Sequence, residues 1–165
     1  MRTRSAPWGL ASLRPGDAEK VERGNATLRS SVRFLRAAIK AGIPAMMENP
    51  AGSQIWWVPP LAKLLRLPGV TSVCFDMCQY NAKFRKRTRV VGWNIVNINR
   101  LHRICAGKRG FCSRTNKPHW ILEGKAGGRE HRTRLAQEYP TAFAAAAANL
   151  MFQTIQELPF FQQSI

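Results

Sequence analysis

The stretch IPAMMENPAGSQIWWVPP, from Ile43 to Pro60, decides how the fold of this chain is interpreted. Its first five residues are apolar and follow Gly42, so they predict a short strand that is buried on both faces. Glu48 comes at the end of that strand, and Asn49-Pro50 turns the chain away. A buried carboxylate costs free energy unless it is paired or used. Glu48 therefore either caps a turn or pairs with an arginine, or it exchanges a proton with a bound ligand.

Helices and strands alternate around this stretch. Apolar residues at helical spacing predict a helix from Asp17 to Gly42, another from Pro59 to Leu67 and a last one that begins at Pro140. Alternating apolar residues predict strands at 70–78 and 88–96, with a basic loop between them and a possible short strand at 119–122. This order predicts an α/β layer in which the Glu48 strand is central and its carboxyl end faces a ligand.

The composition is strongly basic. Lys and Arg number 26 against 9 Asp and Glu, which leaves a net charge of +17. Such a surplus favours a polyanionic partner, so we expect DNA or RNA to bind through phosphate contacts whose affinity falls steeply with salt. No apolar stretch has the length of a membrane span or of a signal peptide, which predicts an intracellular protein with no membrane partner. Residues 1–16 are predicted to be an irregular basic segment, and residues 17–165 a single domain.

Two stretches together resemble the C-terminal half of a cytosine-5 DNA methyltransferase catalytic domain. That family has Glu-Asn-Val at a strand end, to which Glu48-Asn49-Pro50 is similar, with proline in place of valine. The family also has a segment of the type Tyr-Gly-Val-Pro-Gln-x-Arg-x-Arg, and the basic stretch from Gln79 to Arg89 resembles it. The resemblance implies an α/β fold: a partial Rossmann-like methyltransferase sheet with a terminal β-hairpin and flanking helices.

The family mechanism implies a role for Glu48. A cysteine thiolate attacks carbon 6 of a flipped-out cytosine while a glutamate holds ring nitrogen N3, and carbon 5 takes a methyl group from S-adenosylmethionine. The resemblance implies that Glu48 is the catalytic N3 contact and that Asn49 shapes the strand end. The remaining nucleic-acid-binding residues would steady Glu48 or grip phosphate, and they are Arg85, Lys86, Arg87 and Arg89. We therefore expect Glu48 to lie close to arginines of this loop.

Two departures from the family change the expected activity. The family's nucleophile follows a proline upstream of Glu-Asn, whereas no cysteine precedes Cys74 here. The glycine-rich turn of the S-adenosylmethionine site has no counterpart, because the residues before Glu48 are predicted to form one loop and one helix. We expect a truncated methyltransferase-like domain that is inactive alone, binds no S-adenosylmethionine alone, and would need another chain to supply the missing half.

The sequence is also consistent with two other functions. In the first, the chain is a non-catalytic basic nucleic-acid-binding module. In the second, it is the product of an open reading frame without selected function. An amino-group methyltransferase is disfavoured, because its Asn/Asp-Pro-Pro-aromatic motif differs from the sequence that follows Glu48, Asn49-Pro50-Ala51-Gly52.

A second constellation lies in a basic stretch near the middle of the chain. Within eighteen residues it contains two cysteines and two histidines, which are His102, Cys105, Cys112 and His119. These residue types are valid ligands for a structural zinc ion. Their spacings of two, six and six intervening residues match no common zinc-finger signature, so a loop with incidental thiols is favoured over a zinc site.

The adjacent tryptophans Trp56 and Trp57 could likewise have either a structural or a binding role. In an extended segment at most one of them can face the core. The other is expected to cover the following helix or, alternatively, to stack on a base.

Overall fold

A computed structural model describes residues 1–126, 130–131 and 136–158. Three helices and three longer strands form the framework of this part of the chain, and they are α1 (Pro15–Lys40), β1 (Ala45–Pro50), α2 (Pro59–Leu64), β2 (Thr71–Asp76), β3 (Arg87–Trp93) and α3 (Thr141–Gln156). Two-residue strands, β4 (Lys125–Ala126) and β5 (Glu130–His131), pair with each other between β3 and α3. Short 3-10 turns connect the longer elements at Gln54–Trp57, Met77–Tyr80 and Ile98–Leu101.

The fold is mixed α/β and contains a small three-stranded antiparallel sheet with the order β1-β3-β2. The predicted hairpin forms, because β2 and β3 pair in antiparallel fashion, and β3 also pairs with β1. Glu48 lies opposite Val90, and Asn49 lies opposite Arg89. The expectation that the Glu48 strand is central is wrong within this sheet, since β3 takes the central place and β1 lies at an edge.

Apolar side chains cover both faces of the sheet. Successive residues of a strand point to opposite faces, so Val91 and Trp93 pack towards α1 and α2 while Val90 packs towards α3. The α1 layer contributes Leu28, Val32 and Leu35. The α3 layer contributes Phe143 and Leu150, together with Phe75 and Tyr80 from the β2 end. Phe75 stacks on Phe143 with a centroid separation of 4.4 Å.

The boundaries of the elements differ from the predicted ones for local reasons. α1 begins at Pro15 rather than Asp17, because proline is tolerated in the first turn of a helix. β1 begins at Ala45 and runs through Glu48 to Pro50, so the glutamate lies within the strand rather than after it. The possible strand at 119–122 is absent from the structure; instead Phe111 and Pro118 form an isolated antiparallel bridge.

The N-terminal segment contacts α1. Arg2 donates hydrogen bonds to Val21 O at 3.1 Å and to Asn25 Oδ1 at 2.7 Å. Asn25 in turn donates to Trp8 O at 2.8 Å. No helix among the described residues is long and apolar enough to cross a membrane.

Candidate metal centre and basic loop

Three cysteines and one histidine meet beyond the end of β2. They are Cys78, Cys105, Cys112 and His119, and one donor atom from each lies within 4.8 Å of the others. The three cysteines are buried and free of disulfide bonds. His102, which the sequence placed in this group, is exposed, and Cys78 is the fourth member in its place. This Cys3His cluster could hold a metal ion.

The separation of the donor atoms is close to that of a tetrahedral site. Bonds of about 2.3 Å to sulfur and about 2.05 Å to nitrogen at tetrahedral angles place sulfur and nitrogen about 3.6 Å apart, and two sulfurs about 3.8 Å apart. Cys105 Sγ and His119 Nε2 are 3.7 Å apart. The widest donor pair therefore needs to contract by only about 1 Å to reach tetrahedral spacing.

A short hairpin brings Cys112 and His119 together. Its backbone hydrogen bonds run from Cys112 N to Lys117 O at 2.8 Å and from His119 N to Gly110 O at 2.7 Å. Asn116 closes the turn with a φ of 52°, a left-handed conformation that asparagine tolerates better than most residues.

Gly107 allows the segment that carries Cys105 to pass close to this hairpin. A Cβ at position 107 would lie 1.9 Å from Phe111 O, which is far inside van der Waals contact. Only glycine fits at this crossing of two backbones, so the residue type at position 107 is set by the geometry of the cluster.

Backbone and side-chain donors point at two of the sulfurs. Burial raises the pKa of Cys105, but hydrogen bonds from the Ser113 hydroxyl and from the Ser113 and Gly107 N–H groups outweigh it and lower the value to about 6. Burial likewise raises the pKa of Cys112, and the N–H groups of Arg114 and Thr115 lower it below its ordinary value. Burial dominates at Cys78 and raises its pKa to about 12. Thiolate stabilised by N–H donors is the form that binds metals.

Asp76 connects the cluster to the basic loop. Its carboxylate is fully buried and accepts a hydrogen bond from Cys105 N at 2.8 Å. Arg87 pairs with it through two nitrogens, at 2.7 and 2.9 Å, and Arg85 donates at 3.3 Å. Burial raises the pKa of Asp76, but the hydrogen bonds from Arg87 and Cys105 N and the charges of both arginines lower it overall. One ionised side chain thus positions a cluster cysteine and two arginines.

The other basic residues of the loop lie in different places. Lys86 donates to Ala136 O at 3.2 Å. Arg89 donates to Ser72 Oγ at 3.3 Å, and its guanidinium lies 4.9 Å from the Trp56 ring centroid. Lys83 is exposed, and its ammonium lies 4.6 Å from the Trp120 ring centroid. The four basic residues of the predicted nucleic-acid-binding set therefore lie in three places. Arg85 and Arg87 contact Asp76, Lys86 contacts the backbone at Ala136, and Arg89 contacts Ser72 and Trp56.

Glu48 is held by a tyrosine rather than by the loop. Tyr139 donates its hydroxyl to Glu48 Oε2 at 2.5 Å, and the other carboxylate oxygen is buried without a hydrogen-bond partner among the described residues. Glu48 shares the face of Val90, whereas Arg87 and Arg89 alternate with that position and point to the opposite face. In the described chain Glu48 forms no ion pair within 4.0 Å, and Arg85 and Arg87 pair with Asp76 instead. The wider expectation that Glu48 lies close to arginines of the loop stays a prediction.

Three residues of this arrangement were not predicted from the sequence. Cys78 precedes Cys105 by 27 residues and follows a strand, so it fell outside the window that suggested a zinc site. Asp76 does carry a signal, because an acidic residue at the end of an apolar strand, followed by arginines, indicates a buried ion pair. Tyr139, 91 residues from Glu48, left no local signal at all.

Comparisons of the chain with protein-family models, with curated proteins and with solved structures find no match. The described residues also do not fit the S-adenosylmethionine site that the resemblance implies. β1 is the first strand, and only α1 and an irregular segment precede it, so no glycine-rich turn follows a strand ahead of Glu48.

Proposed function

We propose that this chain is a basic nucleic-acid-binding module whose binding face is organised by a structural Zn²⁺ ion. Cys78, Cys105, Cys112 and His119 would hold the ion. The observation that carries the proposal is the buried Asp76 carboxylate, which accepts from Cys105 N and pairs with Arg85 and Arg87. Through this side chain the order of the cluster and the position of the basic loop depend on each other.

The donor set favours zinc in a structural role. Thiolate and imidazole ligands suit zinc, and four protein ligands complete its tetrahedral shell without leaving a position for substrate. When bound, the ion would contribute folding free energy to a segment that has little else to bury. Among residues 102–120 only the two cluster cysteines, Cys105 and Cys112, are buried.

The charge around the cluster favours a polyanion. Residues 77–122 contain eleven Lys and Arg and no Asp or Glu. Five of these basic residues are exposed in the segment that carries the ligands, and they are Arg103, Lys108, Arg109, Arg114 and Lys117. Positive side chains presented on a rigid support are what phosphate recognition requires.

The proposal is tested by metal analysis together with nucleic-acid titration. We expect about one zinc per purified chain. The affinity for fluorescein-labelled DNA, followed by anisotropy, should fall linearly with salt on a log–log plot. Removing the metal with a chelator should weaken binding, and zinc should restore it. A chain that contains no zinc, or an affinity that does not respond to salt, would contradict the proposal.

The two histidines provide a matched pair for this test. His119→Gln should lose zinc and weaken DNA binding, because it removes a proposed ligand. His102→Gln should retain both properties, because that side chain is exposed and outside the cluster. Equal behaviour of the two variants would argue against the ligand set.

A fragment of a cytosine-5 DNA methyltransferase-like domain is the second candidate. The β2–β3 hairpin beside the Glu48 strand supports it, as does the buried Glu48 carboxylate oxygen without a hydrogen-bond partner among the described residues. In that case Glu48 would contact a base and Asn49 would shape the strand end, while a further chain would have to supply the cofactor-binding half.

Glu48→Gln separates the two candidates. The binding module should bind oligo-dC and oligo-dT with an unchanged affinity ratio, whereas a base pocket should lose its preference for cytosine. An altered ratio would favour the methyltransferase-like fragment.

A further inference from the structure

A cavity with a mixed aromatic and cationic lining opens beside the loop that follows β1. Its volume is about 350 Å³, and its lining includes Gly52, Trp56, Trp57, Arg66 and Arg89. This volume lies at the lower end of the range of small-ligand pockets. The cavity belongs to neither the Cys3His cluster nor the Glu48–Tyr139 contact.

The two tryptophans at this cavity have different roles. Trp56 is buried, with 5% of its surface exposed, and donates its indole N–H to Pro50 O at 3.0 Å. It therefore belongs to the core and braces the loop. Trp57 exposes 46% of its surface and borders the cavity. An indole ring half exposed at the edge of a cavity is a stacking platform, because every nucleobase offers a complementary π-face.

Cations surround this platform. Arg66 and Arg89 line the cavity, and the Arg4 guanidinium lies over one face of the Trp57 ring, 4.1 Å from its centroid, so a base would stack on the opposite face. Within the part of the chain that the structure describes, none of these arginines pairs with a carboxylate within 4.0 Å. Guanidinium groups without a carboxylate partner are available to a phosphate, which they can contact through two parallel hydrogen bonds.

We infer that this cavity binds an unpaired nucleotide, with the base stacked on Trp57 and its phosphate held by Arg66 and Arg89. The inference rests on the proposed nucleic-acid-binding function and names one subsite of it. Bases inside a duplex are stacked on their neighbours and present only their edges, so a concave aromatic site selects single-stranded nucleic acid. A short oligo-dT is therefore the ligand class that distinguishes this cavity from the phosphate contacts elsewhere on the surface.

The test compares the binding of fluorescein-labelled oligo-dT with that of a duplex of equal length, using the whole zinc-loaded chain. Trp57→Ala should weaken oligo-dT binding about 5-fold to 150-fold, with an unchanged salt slope, because it removes stacking and no charge. Duplex affinity should stay within about twofold. Trp57→Phe should retain most of the oligo-dT affinity, because it keeps an aromatic face. Arg66→Ala should reduce the salt slope for oligo-dT by about 1.

Phe34 provides the control. It is exposed to 77% on α1, outside both the cavity and the segment that carries the proposed zinc ligands. Phe34→Ala should leave oligo-dT binding unchanged, and an equal loss in both alanine variants would overturn the inference. Failure of the wild-type chain to bind nucleic acid at all would refute the proposed function. Salt-dependent binding that Trp57→Ala leaves intact would refute only the cavity.

Discussion

Two regions of the molecule are stabilised in different ways. The sheet region, which comprises α1, α2, α3 and the three longer strands, buries large apolar side chains on both faces of the sheet. The thiol region, which comprises Cys78 and residues 102–120, contains no α-helix or longer strand, and its buried cluster consists of three cysteines. Apolar burial contributes about 25 cal/mol per Å² to folding, so the thiol region lacks the main stabilising contribution of the sheet region.

This difference explains why the thiol region contains so many hydrogen bonds to sulfur and one buried ion-pair contact. N–H groups at Gly107, Ser113, Arg114 and Thr115 satisfy two thiols, and Asp76 anchors Cys105. Such interactions orient groups well but contribute little net free energy each. A bound ion would supply what the apolar contacts do not, and the two regions should then respond differently to the same perturbation.

The largest expected effect is that of Cys105→Ser. It should reduce the zinc content from about one to near zero, because binding of structural zinc is worth about 10–16 kcal/mol and depends on every ligand. Hydrogen exchange followed by mass spectrometry should speed up in residues 102–120 and stay slow in β3. Cys74→Ser is the control, because Cys74 lies on β2 outside the cluster. If Cys105→Ser retained zinc, the conclusion that the thiol region is stabilised by an ion bound to this cluster would be wrong.

The converse perturbation is Trp93→Ala in the sheet region. Trp93 is 2% exposed, and its indole N–H donates to Leu64 O at 3.1 Å. Its truncation should lower the free energy of unfolding by about 3–5 kcal/mol, as measured by denaturant titration. If the regions are energetically separate, the loss should be the same with and without a chelator to within about 0.5 kcal/mol. A larger difference would show that the regions are coupled.

Asp76→Asn tests the connection between the regions. It should cost about 1.5–3 kcal/mol, since hydrogen bonds to a charged group are lost. It should also weaken zinc binding about 10–100-fold, because the position of a ligand segment is disturbed. The pKa of Asp76 is lowered in the folded protein, so its contribution is present above the unfolded value of about 3.9 and lost as the pH falls through the folded value.

Asp17→Asn is the control for this substitution, because Asp17 pairs with Lys20 at 3.5 Å on the surface. Surface pairs of this kind contribute about 0–1 kcal/mol. Equal losses of stability in the two aspartate variants would contradict the conclusion that Asp76 connects the two regions.

The smallest effect is expected at Tyr139. Burial raises its pKa to about 12, helped by the hydrogen bond to Glu48 and by the Glu48 charge. The neutral phenol is therefore favoured in the folded state, and its contribution is present below the unfolded pKa of about 10 and lost as the pH rises through about 12. Tyr139→Phe should cost about 1 kcal/mol. Glu48→Gln removes the charge but not the burial, so ultraviolet titration should show the phenolate transition of Tyr139 at a lower pH than in the wild type, and an unmoved transition would contradict the contact.

The sheet region could be predicted largely from local pattern. The apolar stripe of α1, which includes Val21, Leu28, Val32 and Leu35, is buried as the 3.6-residue period indicates. The alternation along the segment after Gly69 predicts β2, whereas the hairpin with β3 was an expectation that the family resemblance implied. Periodicity records which face of an element is buried, and that information lies within a few residues of each position.

The candidate site could be predicted only in part. Three of the four cluster residues lay in the window that composition singled out, and the fourth was assigned to His102 because it is near Cys105 in sequence. The choice of Cys78 depends on where β2 ends relative to the hairpin at 110–119. No local pattern carries that information, because it depends on strand pairing and on how the segment after β3 folds back next to the end of β2.

The sequence by itself determined the positive charge, the three helices, the strands β2 and β3 and the presence of clustered cysteine and histidine. The tertiary structure alone decided that Glu48 contacts Tyr139, that Arg85 and Arg87 pair with Asp76, and that Cys78 completes the cluster. Charges and hydrogen-bond donors find partners by distance in space rather than in sequence. A residue type can therefore indicate that a polar or charged partner is needed, but only the packed fold determines which residue that partner is.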